Sequence, residues 1–157
     1  QGKAYKMKLT TKGRYAVTAI LELALTIDQH LTPVTLTYIA KTQHISLAYL
    51  EQIFLQLRRA ELVKSTRGAK GGYLLNKRID QITIEMIINA VHEKITSKGC
   101  DDNNGCNCTS HCLTHDLWTD LDNHIHDYLS KITLKDLLTQ NHNARNELLK
   151  NNSLRII

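Results

Sequence analysis

The stretch Thr35-Leu-Thr-Tyr-Ile-Ala-Lys-Thr-Gln-His-Ile-Ser-Leu-Ala-Tyr-Leu-Glu-Gln-Ile-Phe-Leu-Gln-Leu-Arg-Arg59 decides the fold. Behind Thr35, whose hydroxyl suits an N-cap, Leu36, Ile39 and Ala40 recur at helical spacing and predict a short helix over 36–42. Gln43-His44-Ile45 leaves room for a tight turn only, and Ser46 is placed to cap a second helix. On that helix Leu47, Leu50, Ile53, Phe54 and Leu57 share one face, while Tyr49, Glu51, Gln52, Gln56 and Arg59 face away. A short helix, a turn and a helix with a polar outer face make the helix-turn-helix plan of a DNA reader.

On the C-terminal side, Leu62-Val-Lys-Ser-Thr-Arg-Gly-Ala-Lys-Gly-Gly-Tyr-Leu-Leu75 predicts two short strands around a glycine-rich basic tip. Gly68, Gly71 and Gly72 allow the positive φ angles that such a tip can require. A hairpin directly after the outward-facing helix is a wing, with Arg67 and Lys70 at its tip. On the N-terminal side, Ala16, Ala19, Ile20, Leu23, Ala24 and Ile27 predict a helix over 11–27, capped by Thr10 or Thr11. The expected fold class is therefore mainly α with a small β-hairpin wing.

Beyond the wing, Ile84, Ile87, Ile88 and Val91 predict a fourth helix, from about Ile84 to Glu93. After a polar loop, Leu113, Leu117, Leu121, Ile125, Tyr128, Leu129 and Ile132 form an apolar stripe, opposite Asp116, Asp120, Asp122 and Asp127. One small winged-helix core cannot cover so long a stripe, so a homodimer interface is expected along this helix. Thr133-Leu-Lys-Asp136 has capping-box spacing and starts a last short helix. The expected organisation is a winged helix-turn-helix over 7–80, a cofactor loop and dimerisation helix over 81–140, and a flexible tail over 141–157. Residues 1–6, ahead of Met7, resemble an expression remnant and are not expected to belong to the fold.

The charge distribution agrees with a polyanion partner. The 157 residues carry a net charge of +5, but residues 1–80 hold 13 Lys and Arg (two of them within residues 1–6) against 5 Asp and Glu, whereas 81–157 hold 7 against 10. A basic half joined to an acidic half predicts double-stranded DNA as partner of the first and another task for the second. No run approaches the roughly eighteen apolar residues of a membrane span, and no export signal is visible, so a cytoplasmic protein with reduced thiols and no membrane partner is expected.

All four cysteines lie in the polar loop Cys100-Asp-Asp-Asn-Asn-Gly-Cys-Asn-Cys-Thr-Ser-His-Cys112, and His115 closes the run. Thiols concentrated among Asp, Asn, Gly, Ser and Thr point to a metal or to electron exchange rather than to core packing. Cys100, Cys106 and Cys112 are separated by five residues each, and Cys112 and His115 fall one turn apart if the long helix begins near Cys112. Zinc would accept three cysteines and one histidine as readily as an iron–sulfur cluster would. No Cys-x-x-Cys accompanies a βαβ pattern and no nucleotide fingerprint is present, so an enzyme is not expected.

This loop, followed by Leu113-Thr-His-Asp-Leu-Trp118, resembles the iron–sulfur cluster regulators of the IscR type, which are winged-helix transcription regulators. Met7-Lys-Leu-Thr-Thr-Lys-Gly-Arg-Tyr-Ala-Val-Thr-Ala19, Ser46-Leu-Ala-Tyr-Leu-Glu-Gln52, Arg67-Gly68 and Gly71-Gly-Tyr-Leu-Leu75 extend the resemblance over about residues 7–138. It implies a 2Fe–2S cluster on Cys100, Cys106, Cys112 and His115, with zinc or a 4Fe–4S cluster as alternatives. Cys108 and His111 stand outside the family pattern as extra potential ligands. The resemblance also implies repression, and in some settings activation, of cluster-assembly genes, with Glu51 discriminating between two classes of site. Tyr49 and Gln52 then meet bases or phosphates, Arg67 enters the minor groove beside Lys70, and Lys12 and Arg14 clamp phosphates. Ala48 stands where those regulators have serine, which removes a hydrogen bond. A nitric-oxide-responsive repressor on the same scaffold shares three spaced cysteines, but His115 and Leu50-Glu51-Gln52 argue against it. A zinc-stabilised DNA-binding protein without a sensing role is the remaining alternative.

Overall fold

The computed structural model describes residues 11–30, 32–91 and 115–141, with backbone alone at 28–30 and 115. Helix α1 spans Thr11–His30, α2 Leu36–Gln43 and α3 Leu47–Arg59; strands β1 (Val63–Thr66) and β2 (Gly72–Leu75) follow, then α4 (Ile84–Ala90) and α5 (His115–Lys131). Residues 134–141 are helical again. No helix among the described residues is long and apolar enough to cross a membrane.

The local signals hold where the chemistry is local. Thr35 is the N-cap of α2 and its hydroxyl accepts from the Tyr38 amide at 3.2 Å. His44, in the left-handed region at φ 54°, makes the turn into α3, and the Ile45 amide donates back to the Ala40 carbonyl at 3.1 Å. Ser46 occupies the N-cap of α3, but its side chain makes no capping hydrogen bond. Helix α1 runs three residues further than predicted, to His30, and α4 ends at Ala90 with Val91 as its C-cap.

One core unites these elements. Ala16, Ala19, Ile20 and Leu23 of α1 meet Ile39 of α2, Leu50, Ile53, Phe54 and Leu57 of α3, and Ile84, Ile87 and Ile88 of α4. The wing is antiparallel, with Val63 opposite Leu75 and Thr66 opposite Gly72. Val34 adds a third edge: its amide donates to the Tyr73 carbonyl at 3.0 Å and its carbonyl accepts from the Tyr73 amide at 2.8 Å. The Tyr73 ring stands edge-on to Phe54, centroids 4.9 Å apart, so the wing is anchored in the core through α3.

Helix α5 sits differently. A bridge between Thr83 and Thr133 joins the start of α4 to the segment leaving α5. His126 Nδ1 lies 3.0 Å from the Glu85 carboxylate, again pairing the start of α4 with the later turns of α5. The two helices therefore run in opposite directions. At about 1.5 Å per residue, α5 is about 25 Å long against about 10 Å for α4, so its first turns extend past anything α4 can cover. Leu129 and Ile132 pack against the core, but Leu117 is 60% exposed and Tyr128 66%. Asp122, expected on the solvent face, is instead 9% exposed. The helix turns its 122–126–129 side inward and leaves much of its apolar stripe outside.

Candidate nucleic-acid interface and cofactor loop

The predicted DNA-reading residues are distributed over α1, α3 and the wing, and α3 is linked to each of the other two by a side-chain contact. Helix α3 buries Leu50, Ile53, Phe54 and Leu57, which fixes the rotation that leaves Glu51 and Gln52 exposed. Tyr49 departs from the expected outward orientation. It is half-buried, packs against the core and meets Tyr15 of α1 edge-on, ring centroids 5.9 Å apart. That contact sets the first turns of α1 and α3 side by side, bringing exposed Arg14 and half-buried Lys12 near the leading end of α3. Leu47 overturns its prediction outright: it is 40% exposed, at the very start of α3, while Leu50 one turn on is fully buried. Tyr15, Leu47 and exposed Leu55 are surface residues that helical periodicity alone did not single out.

At its other end α3 is tied to the wing. Arg58 donates through a guanidinium nitrogen to the Ser65 hydroxyl of β1 at 3.4 Å. Arg67 and Lys70 are exposed in the turn that follows. Of the three glycines there, only Gly68 needs its freedom, at φ 110°. Gly71 and Gly72 serve another purpose. A Cβ on Gly71 would lie 2.5 Å from the Thr66 carbonyl oxygen, and one on Gly72 2.6 Å from that of Val34. Both are small so that the wing backbone can close on itself and on Val34. Past the wing, the Arg78 guanidinium hydrogen-bonds the Asp80 carboxylate at 2.6 Å and holds it below the usual carboxylate range.

Cys100, Cys106, Cys108, His111 and Cys112 lie outside the described residues, while His115 is the first residue of α5. What the structure gives is the frame: the loop leaves α4 after Val91 and enters α5 at His115. Helix α4 packs directly on α3. A groove of about 450 Å³ opens between their C-terminal ends, lined by Gln56, Arg59, Leu62, Met86, Asn89 and Ala90. The donor set of three thiols and an imidazole suits a soft iron–sulfur centre, and a neutral imidazole adds no negative charge to it.

Known proteins support the same architecture. The HTH-type transcriptional regulator IscR of Pectobacterium carotovorum is 48% identical over 132 residues, which is 84% of this chain and 79% of that protein. The IscR of Erwinia tasmaniensis is 49% identical over 132 residues, with the same coverage. Among solved structures, T. potens IscR superimposes with a TM-score of 0.73 at 35% identity, over 90% of this chain and 93% of that one. The Rrf2 family pattern, described as an iron-dependent transcriptional regulator, matches residues 9–140. A helix-turn-helix with an anchored basic wing and a match over most of its length make this chain a member of the Rrf2 family, whose members are DNA-binding transcription regulators rather than enzymes.

Proposed function

We propose that the protein is a homodimeric sensor of iron–sulfur cluster supply that represses, and at some promoters activates, cluster-assembly genes. Residues 7–80 dock on DNA, 81–140 hold the cofactor and the dimer contact, and 141–157 form a tail. Cys100, Cys106, Cys112 and His115 hold the cluster, which we assign as 2Fe–2S. The cluster supplies a centre that is present or absent with cellular iron and sulfide. Everything else is done by the chain.

One observation carries this reading. The cysteine loop is inserted between α4 and α5, and α4 rests on α3, the helix that faces DNA. A change in how the loop sets α4 therefore reaches Glu51 and Gln52 through one layer of packed side chains, Leu57 and Met86 among them. Glu51 would repel phosphate unless it accepts from a cytosine amino group, so small shifts of α3 alter which sites are bound. Arg67 and Lys70 supply sequence-independent attraction at the wing, and Lys12 and Arg14 do so beside the start of α3. The exposed apolar side chains of α5, Leu117, Trp118 and Tyr128, support a dimer in which a second α5 covers them.

Anaerobic purification followed by an absorption spectrum and iron, sulfide and zinc analysis tests the assignment. Equal iron and sulfide at two per chain, with a visible charge-transfer spectrum, is the expected result. A colourless protein with stoichiometric zinc would overturn it, and four iron per chain would replace the cluster type.

A further inference from the structure

The outward face of α3 is not uniformly polar. Leu47 and Ala48, both exposed, form two consecutive apolar positions in its first turn, and Leu55 is exposed two turns on. Leu47, Glu51 and Leu55 are spaced i, i+4 and i+8, so the acidic residue stands between two leucines on one line of the helix. Isolated exposed leucines are ordinary on protein surfaces. Leu47, however, lies in the first turn of the helix, whose early residues meet base edges in this class of docking.

An apolar side chain gains nothing from the hydrogen-bonding edges of the major groove and would strip water from them at a cost. The one apolar group the groove offers is the C5 methyl of thymine. Neither Leu47 nor Ala48 carries a side-chain donor or acceptor, so these two side chains are chemically matched to that methyl and to no hydrogen-bonding base edge. Leu47 also reaches further than Ala48 and shares its line with Glu51, which places the two readers one helical turn apart.

We infer that Leu47, with Ala48 beside it, determines specificity by covering the C5 methyl of one thymine in each half-site, one turn of α3 away from the base met by Glu51. The inference rests on α3 docking in the major groove. It assigns the apolar part of the recognition surface, which charge and hydrogen bonding leave undefined.

The test uses the full chain, purified anaerobically, and a duplex enriched by that protein from a random-sequence pool. Each thymine is replaced singly by deoxyuridine, which removes the methyl and keeps every hydrogen-bonding group. Each guanine is replaced singly by 7-deazaguanine. Wild-type protein should lose about fourfold in affinity at one thymine per half-site, the effect of one buried methyl group. Leu47→Ala should bind the parent duplex more weakly and become indifferent to that methyl, while Leu47→Met should retain the sensitivity. The exposed position of Leu47 keeps the fold out of the comparison. Wild-type indifference to every deoxyuridine, with losses at 7-deazaguanine, would overturn the Leu47 assignment alone. Undiminished methyl sensitivity in Leu47→Ala would do the same. Indifference to both substitutions, or no enrichment from the pool, would overturn major-groove docking and the assignment with it.

Discussion

Helices α3 and α5 are both amphipathic, yet only α3 is finished within one chain. Its residues Leu50, Ile53, Phe54 and Leu57 are fully buried, and its exposed side carries Glu51, Gln52, Arg58 and Arg59 together with Leu47 and Leu55. Helix α5 buries an aspartate, Asp122, and exposes Leu117, Trp118 and Tyr128. Amphipathic sequence thus has two meanings in this molecule. In α3 it specifies a place in a core; in α5 it leaves apolar side chains that the proposed dimer would cover. The cysteine loop is inserted between the finished part and the unfinished one, which is where a ligand can alter how they meet.

The largest effect should come from the loop itself. Cys100→Ala, Cys106→Ala and Cys112→Ala should each abolish iron binding, while Cys108→Ala leaves iron content near that of the wild type. Iron analysis after anaerobic reconstitution decides this, and equal loss in Cys108→Ala would sink the ligand assignment. The winged-helix core should be indifferent to all four changes, because its buried residues come from α1 to α4 and the 132–138 segment.

Next in size is the assembly. Leu121→Asp with Ile125→Asp places two charges on the half-buried stripe of α5. Sedimentation should show a dimer for wild type with or without the cofactor, and a monomer with unchanged helical content for the double variant. A folded wild-type monomer at micromolar concentration would remove the distinction between α3 and α5.

Much of the finished half was legible because its signals are short-range. The Thr35 cap, the His44 turn and the Thr133–Asp136 box each depend on residues within four positions of one another. The burial of Leu50, Ile53, Phe54 and Leu57 followed from their period. What was not legible depends on distant neighbours. Leu47 continues that period but overhangs the core, and Tyr49 turns inward to meet Tyr15, which lies 34 positions earlier. Gly71 and Gly72 are glycine because of carbonyls at Thr66 and Val34, not because of their own φ. Asp122 is inside on the side of α5 that also carries His126, which lies against Glu85 of α4. In the cysteine loop, residue type and spacing point only to a metal or to electron exchange, the family resemblance adds the cluster, and the proposed ligands lie outside the described residues except for the backbone of His115.

A more modest pair of effects probes the DNA surface of the finished half. Arg67→Ala should weaken binding to every duplex and reduce the slope of log K against log salt by about one unit, as expected for one lost phosphate contact. Glu51→Ala should do the opposite at sites that require the cluster, allowing apo protein to bind them. Titration of both variants, apo and loaded, against a cluster-dependent promoter measures each. No gain for apo Glu51→Ala would end the role of Glu51 as discriminator while leaving Arg67 untouched.

The smallest effect tests where the finished half ends. Asp136 Oδ2 accepts from the Thr133 amide at 2.9 Å and from its hydroxyl at 2.8 Å, and the Asp136 amide donates back to that hydroxyl at 3.2 Å. The backbone hydrogen bond from Thr133, then that from its hydroxyl, holds the carboxyl below the ordinary aspartate value. A depressed value in the folded state means that the contribution is complete above the unfolded pKa of about 4 and is lost as pH falls through the folded value. This box starts the helical segment that buries Leu134 and Leu138, just after the bridge that ties α5 to α4. Asp136→Asn keeps an acceptor oxygen but removes the charge. Denaturant unfolding of the two proteins should differ slightly at neutral pH and converge in acid, where the wild-type carboxyl is protonated. A difference that does not change with pH would mean that the charge contributes nothing there. The 134–141 segment would then be held by burial of Leu134 and Leu138 alone, on the same terms as the apolar side of α3.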